Sequence, residues 1–298
     1  MRLDRVLAML TGLSRARAHE ALGAGAVSVD GAVVTKGSAP LAAGQRLVAR
    51  VGAAPSEGVE PEPAVAVAVV LEDPDFVVLD KPAGMVVHPG AGQRHGTLVA
   101  GLLARDPELG RLVEAGLCDP WRPGVVHRLD KGTSGLLVAA RTAEGFESLS
   151  EQMSERRVTR VYLGLVEGHV RDERGVVDAP IGRSTHTPTM MAVRADGRSA
   201  RTHYEVLERV EGPPATTLLR LTLETGRTHQ IRVHLAAIGH PVVNDPRYGH
   251  RRDPRLGPER VALHAARLGF AHPRTGERVD VLSAWPEDLA ALVEAPGD

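Results

Sequence analysis

The sequence predicts an α+β protein, a mixed, largely antiparallel sheet with flanking helices, preceded by a small α/β domain. Three observations carry this. From residue 67 onward, β-rich apolar runs follow one another with only occasional helical patterns between them, and strands in runs favour a mixed sheet over a doubly wound one. Residues 2–51 contain helical spacing followed by a hairpin signal, enough for a small unit of their own. Between the two, GAAPSEGVEPEPAVA (52–66) has three prolines, three glutamates and no apolar period, the composition of a linker. The expected domains are 1–51, a linker over 52–66, and 67–298.

Taken in order, Leu3, Val6, Leu7 and Leu10 recur at three- and four-residue spacing and predict a first helix that Gly12 closes. Ser14 is a candidate N-cap for a second helix, Arg15 to Leu22, ended by Gly23 and Gly25. AVSVDGAVV then alternates around Asp30-Gly31, a strong two-residue hairpin signal. Arg2, Arg5, Arg15, Arg17, Lys36, Arg46 and Arg50 face only Asp4, Glu20 and Asp30, so 2–51 is locally basic at +4. In the larger part, strands are expected at VAVVLE, FVVLDKP, GVVHRL, GLLVAAR, RVYLGLVEG, ARTHYEVLERV and TTLLRLTLET. Helices are expected at Leu98 to Leu103, Ala143 to Glu155, Thr228 to Ile238 and Glu287 to Val293.

Composition excludes several classes. The 36 Lys and Arg nearly cancel the 37 Asp and Glu, so any nucleic-acid surface has to be local. The single cysteine, Cys118, supports neither an internal disulfide nor a cysteine-built zinc site and fits a reducing compartment. The opening MRLDRVLAML is charged where a signal core must be apolar, and no run of about 18 apolar residues occurs. A soluble, cytoplasmic monomer with no membrane, metal or cofactor is expected. GxGxxG after a strand, GxxxxGK[ST] and HExxH are all missing, and His229 and His234, five apart, do not share a helix face. The GTSG segment, Gly132 to Gly135, lacks the spacing of a nucleophile elbow.

Chemistry concentrates in GVVHRLDKGTSGLL (124–137), where His127, Arg128, Asp130 and Lys131 form a polar cluster between two apolar runs. Alone, such a segment reads as a polar turn ordered by the Asp side chain. Its HRLD, short polar linker and TSGL resemble the active-site motif of the RluA/RluD family of pseudouridine synthases, with Gly132 where that family more usually has Asp. VVLDKPAGMVVHP (77–89), the Arg160-Val161-Tyr162 segment and ETGRTHQIRVHL (224–235), continued by GHPVVNDPRYG, are similar to further motifs of the family in the same order. Residues 2–51 resemble the small S4 (alpha-L) RNA-binding domain, through helix spacing and G-x-V-x-V-[DN]-G.

The resemblance implies a pseudouridine synthase fold with a central RNA-binding cleft, and an enzyme that isomerises uridines in structured RNA, above all large-subunit (23S) ribosomal RNA. Transfer RNA as substrate, or a non-catalytic ribosome-assembly role, are the alternatives. It implies Asp130 as catalytic carboxylate, Arg232 as its basic partner with Arg227 as substitute, and Tyr162 as the group that stacks on an extruded base. The isomerisation moves one glycosidic bond from N1 to C5 of the same base, so it needs no oxidant or metal. Asp130 must be ionised in a partly desolvated cleft, as nucleophile or as general base, and a guanidinium, which keeps its proton, favours that form. His127, Arg128, Lys131, Arg227, His229 and Gln230 are expected to bind substrate. Phosphate contacts are expected from Arg15, Arg17 and Lys36 of the front domain and from Arg247, Arg251, Arg252 and Arg255. The helix from Thr228 is expected to carry Arg232, His229 and Thr228 on one face and Ile231, Leu235 and Ile238 on a core-facing stripe.

Overall fold

A computed structural model describes residues 2–11, 15–42, 44–50, 58–90, 92–212, 214–249, 260–290, 292 and 293. The chain divides into two compact units, Met1–Glu57 and Gly58–Asp298.

In the first unit, helices α1 (Leu3–Thr11) and α2 (Arg15–Gly23) pack beside strands β1 (Val27–Val29), β2 (Ala32–Val33) and β3 (Leu47–Ala49), which pair antiparallel in the order β2-β1-β3. Leu3, Leu7, Ala18, Leu22 and Val27 make its core. The hairpin turns at Asp30 and Gly31, both at positive φ (51° and 85°), the backbone a two-residue I′ turn requires. Leu10, the last member of the expected apolar stripe, is instead exposed. Ser14 lies outside the described residues.

In the second unit the expected linker ends early. Val59 N–H donates to Pro120 O, Glu62 N–H donates to Ala100 O, and the Glu62 carboxylate accepts the Gly96 N–H, so Gly58 to Ala66 are bound onto the larger unit. The remaining elements are β4 (Val69–Glu72), β5 (Phe76–Lys81), α3 (Leu98–Arg105), α4 (Leu109–Glu114), β6 (Ser134–Ala140), α5 (Ala143–Ser154), β7 (Thr159–Glu167), β8 (Arg174–Asp178), β9 (Ile181–Arg183), β10 (Met191–Val193), β11 (Arg201–Val210), β12 (Thr216–Leu223), α6 (Gln230–Ala237), β13 (Leu263–Ala271), β14 (Arg278–Leu282) and α7 (Glu287–Ala290). Among the described residues a nine-stranded sheet runs β4-β5-β6-β13-β7-β12-β11-β8, with β14 pairing to β13. Its pairs are antiparallel except β6 with β13.

The sheet is covered on both faces, which explains why its central strands are continuously apolar. Because side chains alternate, Val77, Leu79, Leu137 and Ala139 enter one core with Leu98 and Leu102 of α3 and Ile231 and Leu235 of α6. Phe76, Val78, Leu136 and Val138 enter a second core with Leu149 of α5 and with Leu268 and Phe270. Thr97 and Thr142 cap α3 and α5, each accepting from the backbone N–H three residues on.

Two expectations change here. GVVHRL is not a strand: only Val125 makes an isolated bridge, to Ala139, and the rest is loop. β13, which the sequence reading passed over, sits at the centre between β6 and β7. Gly135 lets it approach: at φ 108°, a Cβ there would stand 2.4 Å from Ala265 O and 2.6 Å from Ala265 N.

Candidate active site

The loop before β6, the middle of β7 and the start of α6 converge on one cavity of about 560 Å³, lined by His127, Arg128, Asp130, Tyr162, His229 and Arg232 among others. Asp130 ends the irregular stretch that GVVHRL forms, held by the buried Leu129 before it and by a turn in which Thr133 N–H donates to Asp130 O. Its side chain keeps 15% of its surface exposed.

Arg232 joins two carboxylates. Its Nη1 donates to Asp130 Oδ2 at 3.0 Å, while Nε and Nη2 donate to Asp245 Oδ2 and Oδ1 at 2.6 and 2.7 Å, a bidentate fork. Asp245 is fully buried and also accepts the N–H groups of Arg247 and Tyr248, so its oxygens are all engaged. Burial pushes the Asp245 carboxyl up, but the Arg232 bonds and charge outweigh this and hold it below the carboxylate range. Burial likewise works against the Arg232 charge, and Asp245 and then Asp130 more than reverse it. The guanidinium therefore stays charged and is fixed from behind, with Nη1 aimed at Asp130. Asp130 Oδ1 is 3.9 Å from His229 Nε2.

His229 and Tyr248 form a second support. Tyr248 lies with its ring 5.1 Å from the Arg232 guanidinium carbon, and its hydroxyl accepts the Met191 N–H at 3.0 Å and meets His229 Nδ1 at 2.8 Å. Burial, ahead of the opposing pull of Asp130, moves His229 below the usual histidine range. Neutral His229 meets the Tyr248 hydroxyl through Nδ1, and its Nε2 is the ring nitrogen that lies 3.9 Å from Asp130 Oδ1. His229 adopts a left-handed backbone, φ 56°, at the N-cap of α6, a conformation uncommon for a histidine and set directly beside the cleft.

Tyr162, on β7, is 6% exposed, and burial pushes its hydroxyl up to about 12, so it remains neutral and presents a ring rather than a charge. Arg128 is exposed at the cavity mouth. His127 accepts the Val138 N–H at Nε2, and burial moves it down to about 3.

Several expected residues take other places. Lys131 is exposed and does not line the cavity; its carbonyl accepts the Gly84 N–H. Gln230 has no polar capacity left for a substrate, since Oε1 accepts from Thr225 Oγ1 and Arg227 N–H while Nε2 donates to Arg201 O and Thr202 Oγ1. It holds the start of α6 instead. Arg227 lines the cavity but donates through Nε to Ser199 O, not to Asp130. Of the two faces expected of the segment from Thr228, Thr228, His229 and Arg232 line the cavity and Ile231 and Leu235 enter the core, but Arg232 is itself buried and Ile238 is 39% exposed. Lys36 and Arg247 are exposed, Arg247 donating to Thr189 O. Arg15 and Arg17 lie in α2 with their side chains outside the description, as are Arg251, Arg252 and Arg255 altogether.

Sequence reasoning missed Asp245 and Tyr248 as parts of the site, although both stand in the quoted NDPRYG. The scarcity of tyrosine, three in the chain, was the available signal. It also missed Lys81, wholly buried, whose Nζ donates to Pro82 O and Met85 O at 2.8 Å each and whose charge burial suppresses until its titration falls to about 7.

Residues 75–237 match the model of a family described as RNA pseudouridylate synthase, and residues 1–47 match the S4 domain. The chain is 43% identical over 99% of its length, and 84% of the relative's, to a protein of Nitrosomonas europaea named ribosomal large subunit pseudouridine synthase D. It is 42% identical over 98% of its length, and 93% of the relative's, to an uncharacterized RNA pseudouridine synthase, YlyB, of Bacillus subtilis. Among solved structures, human RNA pseudouridylate synthase domain containing 1 superposes with a TM-score of 0.61 at 30% identity, over 78% of this chain and 90% of that one.

Proposed function

The chain belongs to the RNA pseudouridylate synthase family, and from that premise we propose that it isomerises uridines of large-subunit ribosomal RNA with Asp130 as the reacting carboxylate. The observation that carries the role of Asp130 is its asymmetry. One oxygen accepts from Arg232, whose Nε and Nη2 are held on Asp245, while the second, 3.9 Å from His229 Nε2, accepts no hydrogen bond among the described residues and belongs to a side chain that lines the cavity. An ionised carboxylate so held is oriented, and one oxygen remains available to attack or to take a proton. The base must leave its stack to reach it, and Tyr162 supplies a neutral ring beside Asp130 for the extruded base to lie against.

The basic first unit, with Lys36 exposed, adds sequence-independent phosphate contacts. Full-length relatives named for the ribosomal large subunit support ribosomal over transfer RNA. The direct test is to incubate the protein with large-subunit RNA, and separately with transfer RNA, and to map pseudouridines. The expected product is a base that resists glycosidic cleavage at unchanged RNA mass, in large-subunit RNA and not in transfer RNA. Release of free uracil would overturn the isomerisation, and modification of transfer RNA alone would overturn the substrate.

A further inference from the structure

The cavity holds a second buried arginine that Asp130 does not use. Arg160, on β7 two residues before Tyr162, is 8% exposed, lines the same cavity, and has no hydrogen-bond acceptor for its Nε among the described residues. Among the described residues no carboxylate pairs with it, and burial weakens its charged form. A guanidinium does not escape such a position by losing its proton, so a buried one with no anionic partner is left for a ligand to satisfy. The contrast with Arg232, held by two carboxylates, is internal to one cavity.

The surroundings keep Arg160 where it is. The ring of His127 has a second unpaired atom, Nδ1, and because Nε2 accepts the Val138 N–H, the neutral ring carries its proton on Nδ1. Gly226 leaves room for the guanidinium: a Cβ at that position would stand 2.6 Å from Arg160 Nη1. Two donors without acceptors, at the buried end of a cavity whose mouth is basic at Arg128, call for a ligand that brings oxygen acceptors inward.

We propose that Arg160 donates to a carbonyl oxygen of the extruded uracil, with the His127 Nδ1–H as a second donor to the base. This rests on the uridine-isomerising reading above. The chemistry gives the contact a purpose. When C1′–N1 breaks, its electron pair departs with the base and spreads onto O2 and O4; C5 then bonds C1′, loses its proton, and N1 takes one up. A fixed cation at a carbonyl oxygen stabilises that charge while it exists, and it does so by either route open to Asp130. A phosphate is the less suitable occupant, because Arg160 lies with Tyr162 in the buried part of the cavity while the RNA backbone must run along its mouth.

The test is single-turnover pseudouridine formation by Arg160→Met on a defined RNA carrying uridine, 2-thiouridine or 4-thiouridine at the target, with wild type alongside. Sulfur is a poor acceptor, so wild type is expected to slow by about tenfold or more with one thio substitution, and Arg160→Met to be about 100- to 1,000-fold slow but indifferent to it. RNA affinity and its salt dependence should be unchanged. Rates that fall additively for the variant and the thio base, or an RNA affinity that weakens with a salt slope lower by about one while the rate survives, would overturn the proposal, the latter in favour of a phosphate contact. If Arg160→Met does not fold, Gly226→Ala, which displaces the guanidinium without removing it, must show the same loss of thio sensitivity. Failure of wild type to form any pseudouridine would count against the functional reading itself rather than against Arg160.

Discussion

Two aspartate–arginine constellations in the second unit look alike on paper and do different things. Asp75, 1% exposed at its side chain, accepts Arg274 Nη2 at 2.5 Å, Arg274 Nε at 2.9 Å and Thr142 Oγ1 at 2.9 Å, so both oxygens are taken. It lies beside Asp73 and His272, near enough for three ligand atoms to share an ion, yet both Asp75 oxygens already accept from the Arg274 guanidinium. The result ties β5 to the start of α5 and to the β13–β14 turn. Asp130 has one direct guanidinium bond, one oxygen open to a cavity, and an arginine held from behind by another acid. A pair with every carboxylate oxygen engaged is a brace; one with an oxygen left open to a cavity has the arrangement that the proposed function requires.

The comparison breaks most visibly at Asp245. Asp245→Asn removes the charge that fixes Arg232 and leaves a buried cation badly matched. Pseudouridine formation is expected to fall by roughly 100-fold or more and stability by about 3–5 kcal/mol, read by single-turnover rates and denaturant unfolding. Asp75→Asn is the counterpart. It should cost about 1–3 kcal/mol in the same unfolding experiment, through lost bonds to Arg274 and Thr142, and leave the rate per folded molecule within about twofold. A large rate loss there, or none at Asp245, would erase the distinction.

Lys81 gives a pH signature. Burial lowers its titration from 10.5 to about 7, with Asp130 opposing and Arg260 assisting the shift. Between those values the unfolded chain binds a proton that the folded chain does not, so folding stability rises with pH across that window and the penalty is fully present below it. Unfolding free energies measured from pH 7 to 10 should rise more steeply for wild type than for Lys81→Met; parallel curves would contradict a suppressed charge. The smallest effect expected is at the exposed Lys36, where Lys36→Ala should weaken RNA binding by no more than about threefold, lower the salt slope by about one, and leave the chemical step alone.

How much of this was legible in the sequence depended on what each residue answers to. Local chemistry was: the Asp30-Gly31 turn, the starts of α3 and α5, and the runs that became β5, β6, β7, β11 and β12 all follow from neighbouring residues. β13 was not, because LHAARLGFA interrupts its alternation with Ala, Gly, His and Arg that make sense only once β6 and β7 flank it. In the site, the meeting of Asp130 and Arg232 across 102 residues followed from a family resemblance and not from any spacing. Gln230 lines the cavity, but that its amide is engaged by Thr225, Arg227, Arg201 and Thr202 was not legible in its neighbours along the chain. Asp245 and Tyr248 were hidden for a similar reason: their work is done on Arg232 and His229, and nothing near them in the chain reports that.

The most direct measurement is single-turnover pseudouridine formation by Asp130→Asn beside RNA binding by the same protein. The substitution keeps the shape and a hydrogen-bond acceptor for Arg232 but removes the carboxylate that lines the cavity. A rate reduced by at least about 1,000-fold, with RNA affinity within about twofold of wild type, is the expected result. Turnover close to wild type would show that the reacting group lies elsewhere.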